Sequence, residues 1–309
     1  MRVVFFGTSE FAKVVLQEIM KEKIVPLLVV TQPQRPKGRG WKLSSCEVKE
    51  FAEKNSLNCI APEKLGEKHL IEKLEGVSAE FFLVVSYGKL IPGQILSLPK
   101  IMPLGLHPSL LPRYRGPAPI RWALLKGERE TGVTLFKLET KFDCGPIIWQ
   151  KKIPIEERDD YFTLSSKLAR LGAQCIVEGI ERIRSKNYSL SFQDEKLASF
   201  APKFKKEDGR INWEKSAFEI RNLVRAFKGW PFAYTFYKGK LIRILEIEVE
   251  EENTSYEPSY VVKINKKGIY LSCGDGIIRI VRLKPEGKKE MDAYSFVCGY
   301  KIKVGEKFS

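Results

Sequence analysis

At 309 residues the chain is too long for one average domain and long enough for two, and 43% hydrophobic with 29% charged residues is ordinary globular composition, so a real core can be buried. The formal charge of +15 suits a polyanionic partner, although a Lys-rich soluble surface would also carry it. No 18-residue apolar run argues against a membrane span, and the six cysteines form no CxxC pair and no His stands at ligand spacing, which argues against a disulfide framework and a metal site.

The chain opens Met1-Arg2-Val3-Val4-Phe5-Phe6-Gly7. This reads as a short strand and a turn rather than a signal peptide, so the cytoplasm is the expected location. Residues 11–20 carry Phe11, Val14, Val15, Ile19 and Met20 at helical spacing, and apolar runs at 24–30 and 81–85 follow. Apolar runs separated by helical patterns predict an α/β fold, a Rossmann-like doubly wound parallel sheet covered on both faces. Such a sheet binds ligands beyond the carboxyl ends of its strands, which directs attention to the loops after Phe6, Val30, Val85 and Leu106.

A long helical pattern over 163–183 closes this domain, taken as 1–188, and an aperiodic stretch, 189–205, reads as a linker. Beyond it, over 206–309, one helix at 217–227 precedes five β-type runs at 233–237, 241–249, 260–265, 269–272 and 277–283. Turn signals at Lys238-Gly239, Lys267-Gly268 and Gly274-Asp275-Gly276 separate them. Five short strands at this spacing suggest a small OB-like β-barrel.

The richest segment is Gly105-Leu106-His107-Pro108-Ser109-Leu110-Leu111-Pro112-Arg113-Tyr114-Arg115-Gly116-Pro117-Ala118-Pro119. Its four prolines rule out a helix or a central strand over 108–119, leaving a stiff ordered loop. His107 stands where a strand should end, whereas His69, the other histidine, lies in a Lys/Glu-rich helical stretch and reads as solvated. A lone His is more often structural, but an imidazole at the lip of a sheet can move a proton or donate to an oxyanion. Asp143 follows a strand-like run at 132–137; it is either a turn Asp or the partner of His107 from a neighbouring strand end. No covalent nucleophile is evident, and Gly7-Thr8-Ser9-Glu10-Phe11 is not a GxGxxG fingerprint, so direct transfer between two bound substrates is favoured.

The run from Ser109 to Gly116, with Asp143-Cys144-Gly145, closely resembles the signature of formyltransferases that use 10-formyltetrahydrofolate. Phe6 to Phe11, Thr31-Gln32-Pro33 through Gly40, Tyr87-Gly88, Ala201-Pro202-Lys203, Glu207 to Ile211 and Trp230-Pro231 resemble the branch of that family acting on methionyl-tRNA, in order along nearly the whole chain. The resemblance implies transfer of a formyl group from 10-formyltetrahydrofolate to the α-amine of initiator methionyl-tRNA, by direct attack through a tetrahedral intermediate and without a metal. It implies a catalytic Asn/His/Asp trio of which His107 and Asp143 are members, while Gly105 stands at the position of the Asn and has no side chain. It also implies that Ser109, Leu110, Leu111, Pro112, Tyr87 and Gly88 line the folate site and that the chain is a monomer. The basic loop with Arg35, Lys37, Arg39 and Lys42, and Trp41 among them, would meet the acceptor arm of the tRNA, and lysines such as Lys203, Lys240 and Lys267 its phosphates. Two other readings stay open: a formyltransferase for an amino sugar or glycinamide ribonucleotide, and a catalytically idle binder of tRNA or folate.

Overall fold

In the computed structural model, which describes residues 1–37, 42–250 and 254–309, the first apolar run forms β1 (Val3–Gly7), buried throughout. Ser9 caps α1 (Glu10–Lys21) by accepting the Ala12 N–H at 3.3 Å, and the helix buries Phe11, Ala12, Val15, Leu16 and Ile19 on one face. β2 (Leu28–Val30) is shorter than the apolar run from 24 because Pro26 has no N–H to give a ladder. β3 (Arg35–Lys37) and β4 (Lys42–Ser44) pair as a small antiparallel hairpin. Then come α2 (Glu47–Lys54), β5 (Cys59–Ile60), α3 (Lys68–Val77), β6 (Phe81–Val85), α4 (Gly93–Leu96) and β7 (Met102–His107). α5 (Pro119–Leu125), β8 (Glu130–Lys137), β9 (Ile147–Pro154) and α6 (Tyr161–Arg184) follow.

Seven of these strands form one sheet in the order β5-β2-β1-β6-β7-β8-β9. The first five are parallel, as continuous apolar burial requires; β8 runs antiparallel to β7, and β9 antiparallel to β8. The order reverses at β1, so the loops after β1, β2 and β6 converge. The Thr8 hydroxyl and the Gln32 amide both donate to the Tyr87 carbonyl, at 3.1 and 2.5 Å. Leu106 points away from the His107 face, toward α6, where Gly172 lets the helix approach: a Cβ there would stand 2.6 Å from Leu106 Cδ2.

The chain divides into two compact units, and the division is not contiguous. Residues 1–119, 130–154 and 164–202 make one; 120–129, 155–163 and 203–309 make the other. The two excursions are fastened within the second unit. Arg121 donates to the Ala226 carbonyl and lies 3.5 Å above the Tyr161 ring, Trp122 stacks on Phe204, and Lys228 pairs with Asp160 at 2.7 Å.

The second unit contains α7 (Ala217–Ala226), with a Ser216/Glu219 capping box, and then β10 (Ala233–Tyr237), β11 (Lys240–Glu250), β12 (Val261–Asn265), β13 (Gly268–Cys273) and β14 (Gly276–Pro285). β15 (Met291–Asp292) and α8 (Ala293–Tyr300) complete it. The antiparallel order is β10-β11-β14-β13-β12, which leaves β10 and β12 as edges. Residues 305–309 pair with both. Ser309 exchanges two backbone hydrogen bonds with Phe236 of β10, while Glu306 accepts from Val261 of β12 and Gly305 donates to it. This closes the sheet on itself as a small barrel, with Phe308 fully buried against Tyr237 and Trp213.

Glu306 fastens that tail. It accepts from the Tyr237 hydroxyl at 2.5 Å, from Lys238 at 2.9 Å and from the Lys303 N–H at 3.1 Å, and these bonds pull its pKa from 4.5 down to about 2. A depressed carboxylate stabilises the fold above its unfolded pKa, and this contribution disappears as pH falls through the folded one. Glu306→Gln should therefore lower Tm at neutral pH, with the difference from the native chain closing between pH 4.5 and about 2. Thermal melts across that range check it; a constant difference would refute it.

Candidate active site

His107 ends β7 and is 5% exposed. Its Nε2 lies 2.8 Å from the Tyr114 carbonyl. A carbonyl only accepts, so Nε2 carries the proton there and Nδ1 is the nitrogen left to face its other neighbours. Nδ1 faces Asp143 Oδ1 at 3.5 Å, too long for a good hydrogen bond.

Asp143 does not reach His107 from a neighbouring strand end, as the sequence suggested. Because β8 is antiparallel, Thr134 pairs with His107 and the strand then runs back toward the start of β7, with Lys137 opposite Leu104. The loop 138–146 must return. It does so with Asp143 in the left-handed region at φ +54°, where Asp is better tolerated than most residues. It also needs Gly145 beside the β8 backbone: a Cβ there would lie 1.8 Å from the Lys137 carbonyl oxygen. The Gly116 N–H, presented at φ +116°, donates to Asp143 Oδ2 at 2.8 Å and fixes the carboxylate.

The proline-rich loop is pinned from beneath. The Thr134 hydroxyl donates to the Ser109 carbonyl at 2.7 Å and accepts the Leu111 N–H at 3.0 Å; Gln150 donates to the same hydroxyl at 2.8 Å and to the Leu111 carbonyl at 2.9 Å. A buried network satisfied in this way sets one loop conformation. Leu111–Pro112 is a cis peptide. Of the residues expected to line a folate site, Ser109 and Leu111 are buried, and the Ser109 hydroxyl donates inward to the Arg113 carbonyl at 2.6 Å. Leu110 and Pro112 are half-buried. The Tyr87 ring packs edge-on against Phe6 in the core, where burial pushes its hydroxyl up to about 12, so this residue offers the crevice its backbone. Gly88 is exposed at φ +79°. Arg35, Lys37 and Lys42 stand on the β3–β4 hairpin; Arg39 and Trp41 lie outside the described residues.

No side chain fits at Gly105. It shares the His107 face, and a Cβ would fall 2.5 Å from Cζ and 2.6 Å from Cε1 of Phe136, a ring 2% exposed on the paired strand. The space beside His107 is thus filled by hydrocarbon. Residues that local pattern did not single out stand around these loops: Thr134 and Gln150 beneath, and Gln193 and Glu195 beside Arg115 of the proline-rich run. Arg115 is 3% exposed and forked onto the Glu195 carboxylate at 2.9 Å by both terminal nitrogens; that hydrogen bond raises the Arg115 pKa and lowers that of Glu195. Among the described residues no group of three or more His, Cys, Asp or Glu converges on one point.

The family model described as formyl transferase matches residues 1–180, and that described as formyl transferase, C-terminal domain, matches residues 203–301. The chain belongs to the formyl transferase family. A methionyl-tRNA formyltransferase of Thermodesulfovibrio yellowstonii is 43% identical over 98% of this chain and 97% of its own length. The one from Caldicellulosiruptor saccharolyticus is 41% identical over the whole of both. Among solved structures, HypX from Aquifex aeolicus in complex with tetrahydrofolic acid has a TM-score of 0.65 at 18% identity; the match covers 99% of this chain and 48% of HypX, so the chain spans about half the length of that protein. The N-formyltransferase of Helicobacter canadensis has a TM-score of 0.64 at 21% identity, over 90% of this chain and 98% of its own. At these identities the structures speak for the formyl transferase fold alone.

Within this family member the Gly105–Phe136 contact makes a direct prediction. Gly105→Ala forces a buried ring aside and should lower the unfolding free energy by about 1–3 kcal/mol. Gly105→Ala with Phe136→Leu should recover part of that loss. Urea unfolding of the native chain and the two variants measures it; an unchanged midpoint for Gly105→Ala would mean that the ring yields freely.

Proposed function

We propose that the chain transfers the formyl group of 10-formyltetrahydrofolate to the α-amine of initiator methionyl-tRNA. What carries the reading is the meeting of His107 and Asp143 beside the proline-rich loop, in a chain alike along its whole length to methionyl-tRNA formyltransferases. The folate supplies an activated one-carbon unit held on nitrogen. The amine attacks its carbonyl carbon, negative charge develops on the formyl oxygen, the C–N bond to the folate breaks as the carbonyl re-forms, and the leaving nitrogen takes up the proton that the amine has lost.

His107 Nδ1, the ring nitrogen that faces Asp143, is the group that would donate or take a proton. Protonated, it donates to the developing oxyanion; deprotonated, it takes the proton that the attacking amine releases. Asp143 orients the ring and is itself held by the Gly116 N–H. With Gly105 lacking a side chain and Phe136 filling the space beside it, no amide donor stands at that position. Stabilisation of the oxyanion therefore falls more heavily on His107 than where such an amide is present.

The basic β3–β4 hairpin, carrying Arg35, Lys37 and Lys42 and connected by the segment with Arg39 and Trp41, meets the acceptor arm, and the +15 charge draws the tRNA in. The chain works in the cytoplasm as a monomer. Transfer of a labelled formyl group from 10-formyltetrahydrofolate to charged initiator tRNA tests the reading. His107→Ala and Asp143→Asn should each lower kcat by about 10²-fold or more. Product on an amino sugar nucleotide and none on tRNA would overturn it, as would native turnover in both variants.

A further inference from the structure

The segment at 189–202 has no regular periodicity, yet it is tied to both loops of the site. The Tyr114 N–H donates to the Ser199 hydroxyl at 2.9 Å, the Arg115 N–H to the Ser199 carbonyl at 2.8 Å, and the Ala201 N–H to the Arg115 carbonyl at 2.7 Å. Within this segment Gln193 occupies a position that the chemistry described so far does not use. Its amide nitrogen spends both protons on the loop that carries Asp143: one on the Asp143 carbonyl at 2.9 Å, the other on the Gly145 carbonyl at 2.8 Å.

The orientation of that amide is itself fixed. Gln193 Oε1 accepts from Arg115 Nε at 3.0 Å, and the guanidinium is forked onto Glu195 at 2.9 Å. A flipped amide would set its oxygen against two carbonyl oxygens and its NH2 against a guanidinium. Only one orientation pairs every group. Asp143 needs such support: its backbone is left-handed, its loop has doubled back, and its carboxylate must stand opposite His107 Nδ1.

We infer that Gln193 is a positioning residue of the reaction, locked by the Arg115–Glu195 pair and acting through Asp143. It touches no reacting atom. Its two hydrogen bonds hold the backbone on either side of Cys144 and so fix the direction in which the Asp143 carboxylate points. The inference rests on the proposed catalytic role of Asp143.

The test uses the full chain with 10-formyltetrahydrofolate and charged initiator tRNA. Gln193→Leu removes both donors. Gln193→Glu keeps the shape but turns an acceptor onto the two carbonyls. Each should lower kcat by about 10- to 10²-fold, the scale of a small misplacement at a reacting centre, and leave KM for both substrates within about twofold. Introduced into Asp143→Ala, each should have no further effect on kcat, because the group through which it acts is gone. A purely structural role predicts the opposite, the same fold-loss in both backgrounds, and that result would overturn the inference. So would native kcat in Gln193→Leu and Gln193→Glu while Asp143→Ala is crippled. Native turnover in Asp143→Ala would overturn the reading of the site itself, and this inference with it.

Discussion

β8 leaves the site. It pairs antiparallel with β7, and each residue after Thr134 carries the chain farther from His107. His107 and Asp143 meet because the following loop turns round and returns a carboxylate to the imidazole. That return depends on a position where no side chain fits, Gly145 against the Lys137 carbonyl, and on a left-handed Asp143. It depends also on donors from two other stretches of chain, Gly116 and Gln193. The Asp-x-Gly spacing follows from this geometry: the carboxylate projects at the apex, and two residues later the backbone slips past the strand it came from.

The outline of the first unit was legible because a two-sided parallel sheet leaves a coarse signal. Runs of Val, Leu and Phe at 3–6 and 81–85 are too short for helices and too apolar for an exposed face, and both became central strands. The direction of β8 was not legible, since an apolar strand reads the same whichever way it runs. His107 stood out through its place at the end of a strand, and Asp143 through the glycine two residues on. Thr134, Gln150 and Gln193 were silent for a different reason. Their partners lie far along the chain, and nothing local marks a polar side chain that finds its hydrogen bond dozens of residues away. Direction was the other gap. Of the residues expected to line a folate site, Ser109 spends its hydroxyl inside and Tyr87 buries its ring. In the second unit β15 and α8 escaped because a strand of two residues and a helix ending in Gly299-Tyr300 leave little periodicity.

Gly105 and Phe136 are one feature. The ring reaches across the β7–β8 pairing and occupies the volume that any side chain at 105 would need. A side chain at 105 therefore needs a smaller residue at 136, because a close-packed interior resists overfilling. The chemical result is a histidine with an apolar wall on one side and a carboxylate on the other. Low polarity beside the imidazole strengthens whatever charge interaction it makes with that carboxylate or with a bound substrate.

The tail of the barrel carries a liability. Residues 305–309 occupy two strand edges at once, β10 through Ser309 and β12 through Glu306 and Gly305. Proteolytic trimming of this segment would uncover both edges and empty the place of Phe308 in a single event. A sheet with two bared, complementary borders is a template for joining another copy of itself. Damage at this end of the chain would then appear as filaments or precipitate of barrels.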